Sequence, residues 1–282
     1  MEISRIGIVG AGNVGAEMAE VAALHGLSVI LVEAVKENLE RAVDGIKRSL
    51  QKLVEKKELD EKGKEGVLAR IQLGLDLGAL APVDLVIEAI TEDEKSKIDL
   101  FRKLETIVSS QTIFASNSSV VSITKLARVT KRPEKVVGLH FMMPITSMKL
   151  VELVRGVQTS DETLQTAEKL AQKMGKETVF SNDFPGFLVN RILFPMINEA
   201  ITLLYEGVGS KEDIDRAMKF GPNHPIGPLA LADTIGLDAV LALLINLQQE
   251  YGNPKYAPSP LLVKYVEAGY LGRKSGRGFY EY

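Results

Sequence analysis

The chain has 282 residues, enough for a sizeable core and about two domains. Its 45% hydrophobic and 25% charged content is that of a soluble globular protein, and a net charge of −3 gives no reason to expect nucleic acid or an anionic membrane as partner. Cysteine is absent, which excludes disulfides, thiol catalysis and cysteine metal sites.

Arg5-Ile6-Gly7-Ile8-Val9 is a short β-branched run, as expected of a buried parallel strand. No basic stretch with an apolar core precedes it, so no secretion signal is expected, and the cytoplasm is the expected location. Gly10-Ala11-Gly12-Asn13-Val14-Gly15 follows at once. Val14, Met18, Val21, Ala22 and Leu24 then recur at helical spacing, with Gly26 as a stop. Val29-Ile30-Leu31-Val32 is a second strand, and Glu33 sits at its end.

That arrangement predicts a dinucleotide site. Gly10 permits the tight turn, Gly12 lets a pyrophosphate approach the main chain, and Gly15 lets the helix pack closely. Asn13 and Val14 begin the helix, whose free N–H groups and dipole favour phosphate. Glu33 can accept both ribose hydroxyls of an adenosine and would repel a 2′-phosphate, which favours NAD over NADP. The glycine motif alone is weak; the strand, helix and acid around it make it specific.

A charged helix is expected over 35–57, with Leu39, Val43, Ile46, Leu50 and Leu53 as one apolar seam. A second over 60–70 folds back on it, giving a helical hairpin inserted after the second strand. Its lysines read as a solvated face or as contacts for an anionic substrate. Further strands are expected at 71–75, 83–89, 112–115, 136–141, 150–154 and 177–180, with helices at 95–108 and 161–175 between them. The alternation predicts a mostly parallel α/β sheet. Gly10 to Gly15, Glu88 to Glu92, Ser116 to Ser119 and His140 all fall at strand ends, where such sheets bind ligands.

From about 182–186 onward only helices are expected, so the domains divide as 1–184 and 185–282. The helix from Phe187 is apolar on most faces and carries Pro195. It needs more cover than a small helical domain supplies, which predicts an oligomer interface.

Three histidines exist. His25 and His224 read as structural or solvated. His140 ends an apolar strand, and Glu152 lies twelve residues on, near the next one. Such a pair suits general base work, though a buried ion pair without chemistry has the same spacing. Ser119, in a polar turn, and Asn190, on a helix, could orient a substrate oxygen.

Together these pieces resemble the L-3-hydroxyacyl-CoA dehydrogenase family, in particular the stand-alone 3-hydroxybutyryl-CoA dehydrogenases. The resemblance is carried by GIVGAGNVG (7–15), ASNSSVVSIT (115–124), GLHFMMP (138–144), MKLVELV (148–154), DFPGFLVNRIL (183–193), SKEDIDRAMKFG (210–221), HPIGPLALADTIGLD (224–238) and GRKSGRGFYEY (272–282). It implies a Rossmann-type α/β domain with the inserted hairpin, then an all-α domain that binds substrate and forms a homodimer. It implies NAD as cofactor and an acyl-CoA as substrate. His140 matches the family's base, Glu152 its partner, and Ser119 and Asn190 the residues on the substrate oxygens. Glu92 and Lys97 match an acid and a lysine beside the nicotinamide half of the cofactor. Ser49 and Lys56, on the hairpin, match positions that touch CoA. Three residues depart from the family pattern: Met143 for an asparagine, Val120 for a serine and Ser118 for a threonine. A dehydrogenase of a free hydroxy acid, such as a sugar acid, and a non-catalytic NAD-binding protein are the alternatives.

Overall fold

The computed structural model describes residues 2–282, which divide into two compact units. The first ends at Phe184 and the second runs Pro185–Tyr282.

The first unit begins β1 (Arg5–Val9), α1 (Asn13–Leu24), β2 (Ser28–Val32), α2 (Lys36–Glu55), α3 (Glu61–Ala69) and β3 (Ile71–Gly74). It continues β4 (Leu85–Glu88), α4 (Glu94–Leu104), β5 (Ile113–Ser116), α5 (Ile123–Arg128) and β6 (Val136–Phe141). β7 (Leu150–Arg155), α6 (Asp161–Lys173) and β8 (Glu177–Asn182) complete it. The strands form one sheet in the order β3-β2-β1-β4-β5-β6-β7-β8. Every neighbouring pair is parallel except β6–β7. From β3 to β6 this is the Rossmann order, and the winding reverses between β1 and β4, where a crevice opens at the strands' carboxyl ends.

The strands lie between helices, so their apolar residues run continuously rather than alternating. Ile6, Ile8, Leu31, Ile87 and Leu139 join Met18 and Ala22 of α1 and Leu170 of α6 in one core. Elsewhere Phe101 of α4 meets Phe114 of β5 edge to face, with centroids 5.5 Å apart. Leu39, Ala42, Ile46 and Leu50 form the buried seam of α2, while Val43 and Leu53 are half-buried. α2 and α3 are the expected inserted hairpin.

α5 is absent from the expected elements. Six residues are too few for helical periodicity to stand out. Its N-terminus combines a local cap, Ser122 Oγ accepting from Lys125 N at 3.2 Å, with tertiary contacts. Asp183 accepts from Ser122 Oγ (2.7 Å), Thr124 N (2.8 Å) and Ile123 N (3.1 Å).

The second unit is helical: α7 (Val189–Tyr205), α8 (Lys211–Phe220), α9 (Pro228–Ile235), α10 (Leu237–Tyr251) and α11 (Pro260–Glu267). α7 runs through Pro195 and begins two residues later than expected, because Phe187 takes φ +47°. Phe194, Ile197 and Ile201 are its buried side. Asn198 pins it by donating to Ala257 O and accepting from Ser259 N. Among the described residues, no single helix is long and apolar enough to cross a membrane.

Candidate active site

The turn after β1 is shaped by its glycines in three different ways. Gly10 has φ +105°, and a Cβ there would stand 2.5 Å from Ala89 O, at the end of β4. A Cβ on Gly15 would stand 1.9 Å from Gly10 O, so the helix could not start so close to the turn. Gly12 differs: nothing lies within 4 Å of its would-be Cβ. Its open side faces a groove of about 850 Å³. Asn13, Val14, Glu33, Arg41 and Arg48 also line this groove. Glu33 is held by main-chain donors, Ala11 N to Oε2 and Val35 N to Oε1, each 3.2 Å. Lys36, which could have offset its charge, is paired with Glu40 at 3.5 Å. A dinucleotide fits this set. The pyrophosphate has uncovered main chain and a helix N-terminus, and the ribose has a fixed carboxylate.

His140 and Glu152 face each other across the one antiparallel pair of strands, as partners in the β6–β7 register. Opposite residues in such a pair put their side chains on the same face of the sheet. The Nδ1–H of His140 donates to Glu152 Oε2 at 2.7 Å. Both are buried, Glu152 completely. The contact fixes the ring and assigns Nδ1 to the carboxylate, so proton exchange falls to Nε2.

Beside this pair lies a polar network that sequence reasoning did not assemble. Glu88, the last residue of β4, and Ser116, the last of β5, are register partners. Ser116 Oγ donates to Glu88 Oε2 at 2.6 Å, and Lys97 Nζ donates to Glu88 Oε1 at 2.6 Å. Lys97 also reaches Glu92 Oε2 at 3.3 Å. Glu92 closes onto the turn after β5, accepting from Ser118 Oγ (2.7 Å), Ser119 N (2.9 Å) and Ser119 Oγ (3.3 Å). Asn117 Oδ1 then accepts Phe141 N at 2.9 Å, next to His140. The start of α4, which carries Lys97, is fixed by Asp93. The hydroxyl and N–H of Ser96 hold that carboxyl below its usual range.

The structure therefore brings Ser119 to Glu92 and His140 to Glu152. Lys97, expected beside the cofactor, is only 1% exposed, with its ammonium directed at two carboxylates. Ser49 gives its hydroxyl to Glu20 Oε1 at 2.6 Å, whereas Lys56 stands exposed at the end of α2. Asn190 is on the first turn of α7, in the second unit. The departure at Ser118 keeps the hydroxyl, which donates to Glu92 and accepts from Val121 N. Met143 is 43% exposed on the segment after β6. The signal for the missed residues was present. Glu88, Ser116, Asn117 and Ser118 all stand at strand ends, but their pairing depends on register between strands far apart in sequence.

Comparison with known proteins gives a consistent result. Residues 5–184 match the sequence model for the 3-hydroxyacyl-CoA dehydrogenase NAD binding domain, and residues 186–282 match that family's C-terminal domain. A 3-hydroxybutyryl-CoA dehydrogenase of Bradyrhizobium diazoefficiens is 48% identical over 280 residues, covering 99% of this chain and 96% of the relative. The mitochondrial hydroxyacyl-coenzyme A dehydrogenase of Homo sapiens is 39% identical, covering 99% and 91%. The crystal structure of (S)-3-hydroxybutyryl-CoA dehydrogenase from Ralstonia eutropha superposes with a TM-score of 0.97 at 47% identity, covering 100% of this chain and 99% of the other.

Proposed function

The chain belongs to the 3-hydroxyacyl-CoA dehydrogenase family, and from that premise we propose that His140 is the general acid and base of an NAD-dependent oxidoreductase acting on short-chain 3-hydroxyacyl-CoA and 3-ketoacyl-CoA. The 3-hydroxybutyryl-CoA and acetoacetyl-CoA couple is the substrate pair, in keeping with the relatives' names.

NAD supplies the hydride acceptor in oxidation and, as NADH, the donor in reduction. In oxidation, the C3–H bond gives up its hydrogen with both electrons, and Nε2 of His140 takes the proton of the 3-hydroxyl. The C3–O bond becomes a carbonyl. Glu152 stabilises the imidazolium that forms, without taking the proton itself. In reduction, the protonated His140 returns that proton to the oxygen. Ser119 and Asn190 orient the reacting oxygen. Gly10, Gly12, Asn13, Val14 and Gly15 hold the pyrophosphate, and Glu33 the adenosine ribose. Ser49 and Lys56 mark the face of α2 that meets CoA.

The observation that carries this reading is the 2.7 Å contact between a buried imidazole and a fully buried carboxylate at the carboxyl end of the sheet. The test is oxidation of NADH with acetoacetyl-CoA, longer 3-ketoacyl-CoAs and free acetoacetate. Turnover is expected with the thioesters, fastest with acetoacetyl-CoA. Turnover with free acetoacetate alone would make the protein a hydroxy-acid dehydrogenase, and no absorbance change at all would remove the activity.

The second unit supports a homodimer. Ile192 of α7 is 71% exposed in the single chain, and Tyr205, Val208 and Phe220 are more than half exposed. Sedimentation should give the mass of two chains, and a single-chain mass would reject the dimer.

A further inference from the structure

Glu88 has no part in the chemistry above, yet it is a carboxylate without any exposure on the strand beside the dinucleotide turn. Three donors meet it: Lys97 Nζ and Ile90 N on Oε1, at 2.6 and 2.8 Å, and Ser116 Oγ on Oε2 at 2.6 Å. Lys97 is as deeply buried, and its three protons have three acceptors: Glu88 Oε1, Glu92 Oε2 and Ile90 O. Two carboxylates thus share one ammonium. Glu88 is completely enclosed, while the side chain of Glu92 is 42% exposed.

A buried ion pair is a poor way to stabilise a fold, because desolvation consumes most of the Coulombic gain, and apolar residues of similar size often do as well. What distinguishes this pair is the neighbour it governs. Lys97 sets the position of Glu92, whose Oε1 accepts both the N–H and the hydroxyl of Ser119. A second route runs from Glu88 through Ser116 Oγ, which accepts Ser118 N at 3.2 Å in the same turn.

We propose that Glu88 is a positioning residue: by fixing Lys97 it holds Glu92 at the crevice surface, and through Glu92 it aims Ser119 at the reacting oxygen. This rests on the dehydrogenase reading for the role of Ser119, but the linkage from Glu88 to Glu92 does not. With Glu88 neutral, Glu92 is the counter-charge left to Lys97 among the described residues. It is drawn inward and leaves Ser119.

The test is a double-mutant cycle of Glu88→Gln and Glu92→Gln, with three readouts. These are the melting temperature of the protein without cofactor, the dissociation constant of NADH by fluorescence, and kcat and KM with acetoacetyl-CoA. Glu88→Gln alone is expected to weaken NADH binding and lower kcat, each by about tenfold, with a smaller change in KM. In the Glu92→Gln background its further effect on either quantity should be much smaller, because only the route through Ser116 then remains. Losses that multiply in the double variant overturn the proposal. So does a lowered melting temperature with unchanged kcat and NADH affinity, which describes a purely structural pair. Should Glu88→Gln not fold, Glu88→Asp, which keeps the charge and withdraws it by one methylene, runs through the same cycle. If the unaltered protein does not turn over acetoacetyl-CoA, the dehydrogenase reading fails, while the coupling read in NADH affinity still decides the linkage.

Discussion

The carboxyl ends of β1 and β2 and those of β4, β5 and β6 lie along one edge of the same sheet, but they are finished in different materials. At β1 and β2 the functional surface is main chain. Gly10, Gly12 and Gly15 shape it, and the one acid, Glu33, is held by the N–H groups of Ala11 and Val35. At β4 to β6 the surface is side chain. Glu88, Glu92, Lys97, Ser116, Ser118 and Ser119 hold one another, and His140 is held by Glu152. The difference follows from the chemistry each end serves. A pyrophosphate needs only N–H donors and room, which any residue without a side chain supplies. A proton transfer needs a group that changes charge, so it needs an aimed side chain and neighbours that tolerate the change.

The two ends should therefore fail in different ways. Replacing His140 by Ala is the largest expected effect: turnover of acetoacetyl-CoA falls roughly 10²–10⁴-fold, while NADH affinity stays as it was. Unchanged turnover would remove His140 from the mechanism. At the other end, Gly12→Val should separate binding from folding. Gly12 has φ −68°, which any residue adopts, and its would-be Cβ meets nothing, so the melting temperature should hold. A side chain there stands where the pyrophosphate must approach, and NADH affinity should fall about tenfold or more. The neighbouring Gly10→Ala reverses this pattern: a positive φ and a clash with Ala89 O should lower the melting temperature by about 5–10 °C. If Gly12→Val destabilises as much as Gly10→Ala, the main-chain account of that end is wrong.

The same difference in material governs what the sequence reveals. A site made of main chain must write glycines at fixed spacing into one short stretch, so the dinucleotide turn is visible between Arg5 and Glu33 without any knowledge of the sheet. His140 and Glu152 are visible only as a spacing, and the β6–β7 register is what turns twelve residues into 2.7 Å. Glu88 and Ser116 are 28 residues apart on parallel strands, and no local pattern states that they pair. The helical hairpin was legible because the seam of α2 repeats from Leu39 to Leu53, over about four turns. α5 was not, because it is only six residues long and its first N–H groups are held by Asp183 from the far end of the unit, beside the local cap of Ser122. Ser49 shows a different limit: the resemblance points its side chain toward CoA, but its hydroxyl proton is given to Glu20. That pairing requires knowing how α2 lies against α1.

Glu20 provides the smallest test, because it is Glu88 without a lysine. Both are glutamates buried to a few per cent or less, but among the described residues the side-chain partner of Glu20 is the neutral hydroxyl of Ser49, at 2.6 Å. Burial pushes its carboxyl above the usual range. The hydrogen bond from Ser49 pulls it part of the way back, and the charge of Glu17 adds to the rise. A carboxyl whose pKa is higher in the folded chain than in the unfolded one binds more protons when folded, over the interval between the two values. Stability contributed by this group therefore falls as pH rises through that interval, and stays reduced above it. Glu20→Gln keeps an oxygen for Ser49 and removes the charge. The variant should melt close to the unaltered protein near pH 4 and slightly higher near pH 8. Equal melting temperatures at both pH values would mean that Glu20 carries its charge in the fold at no cost.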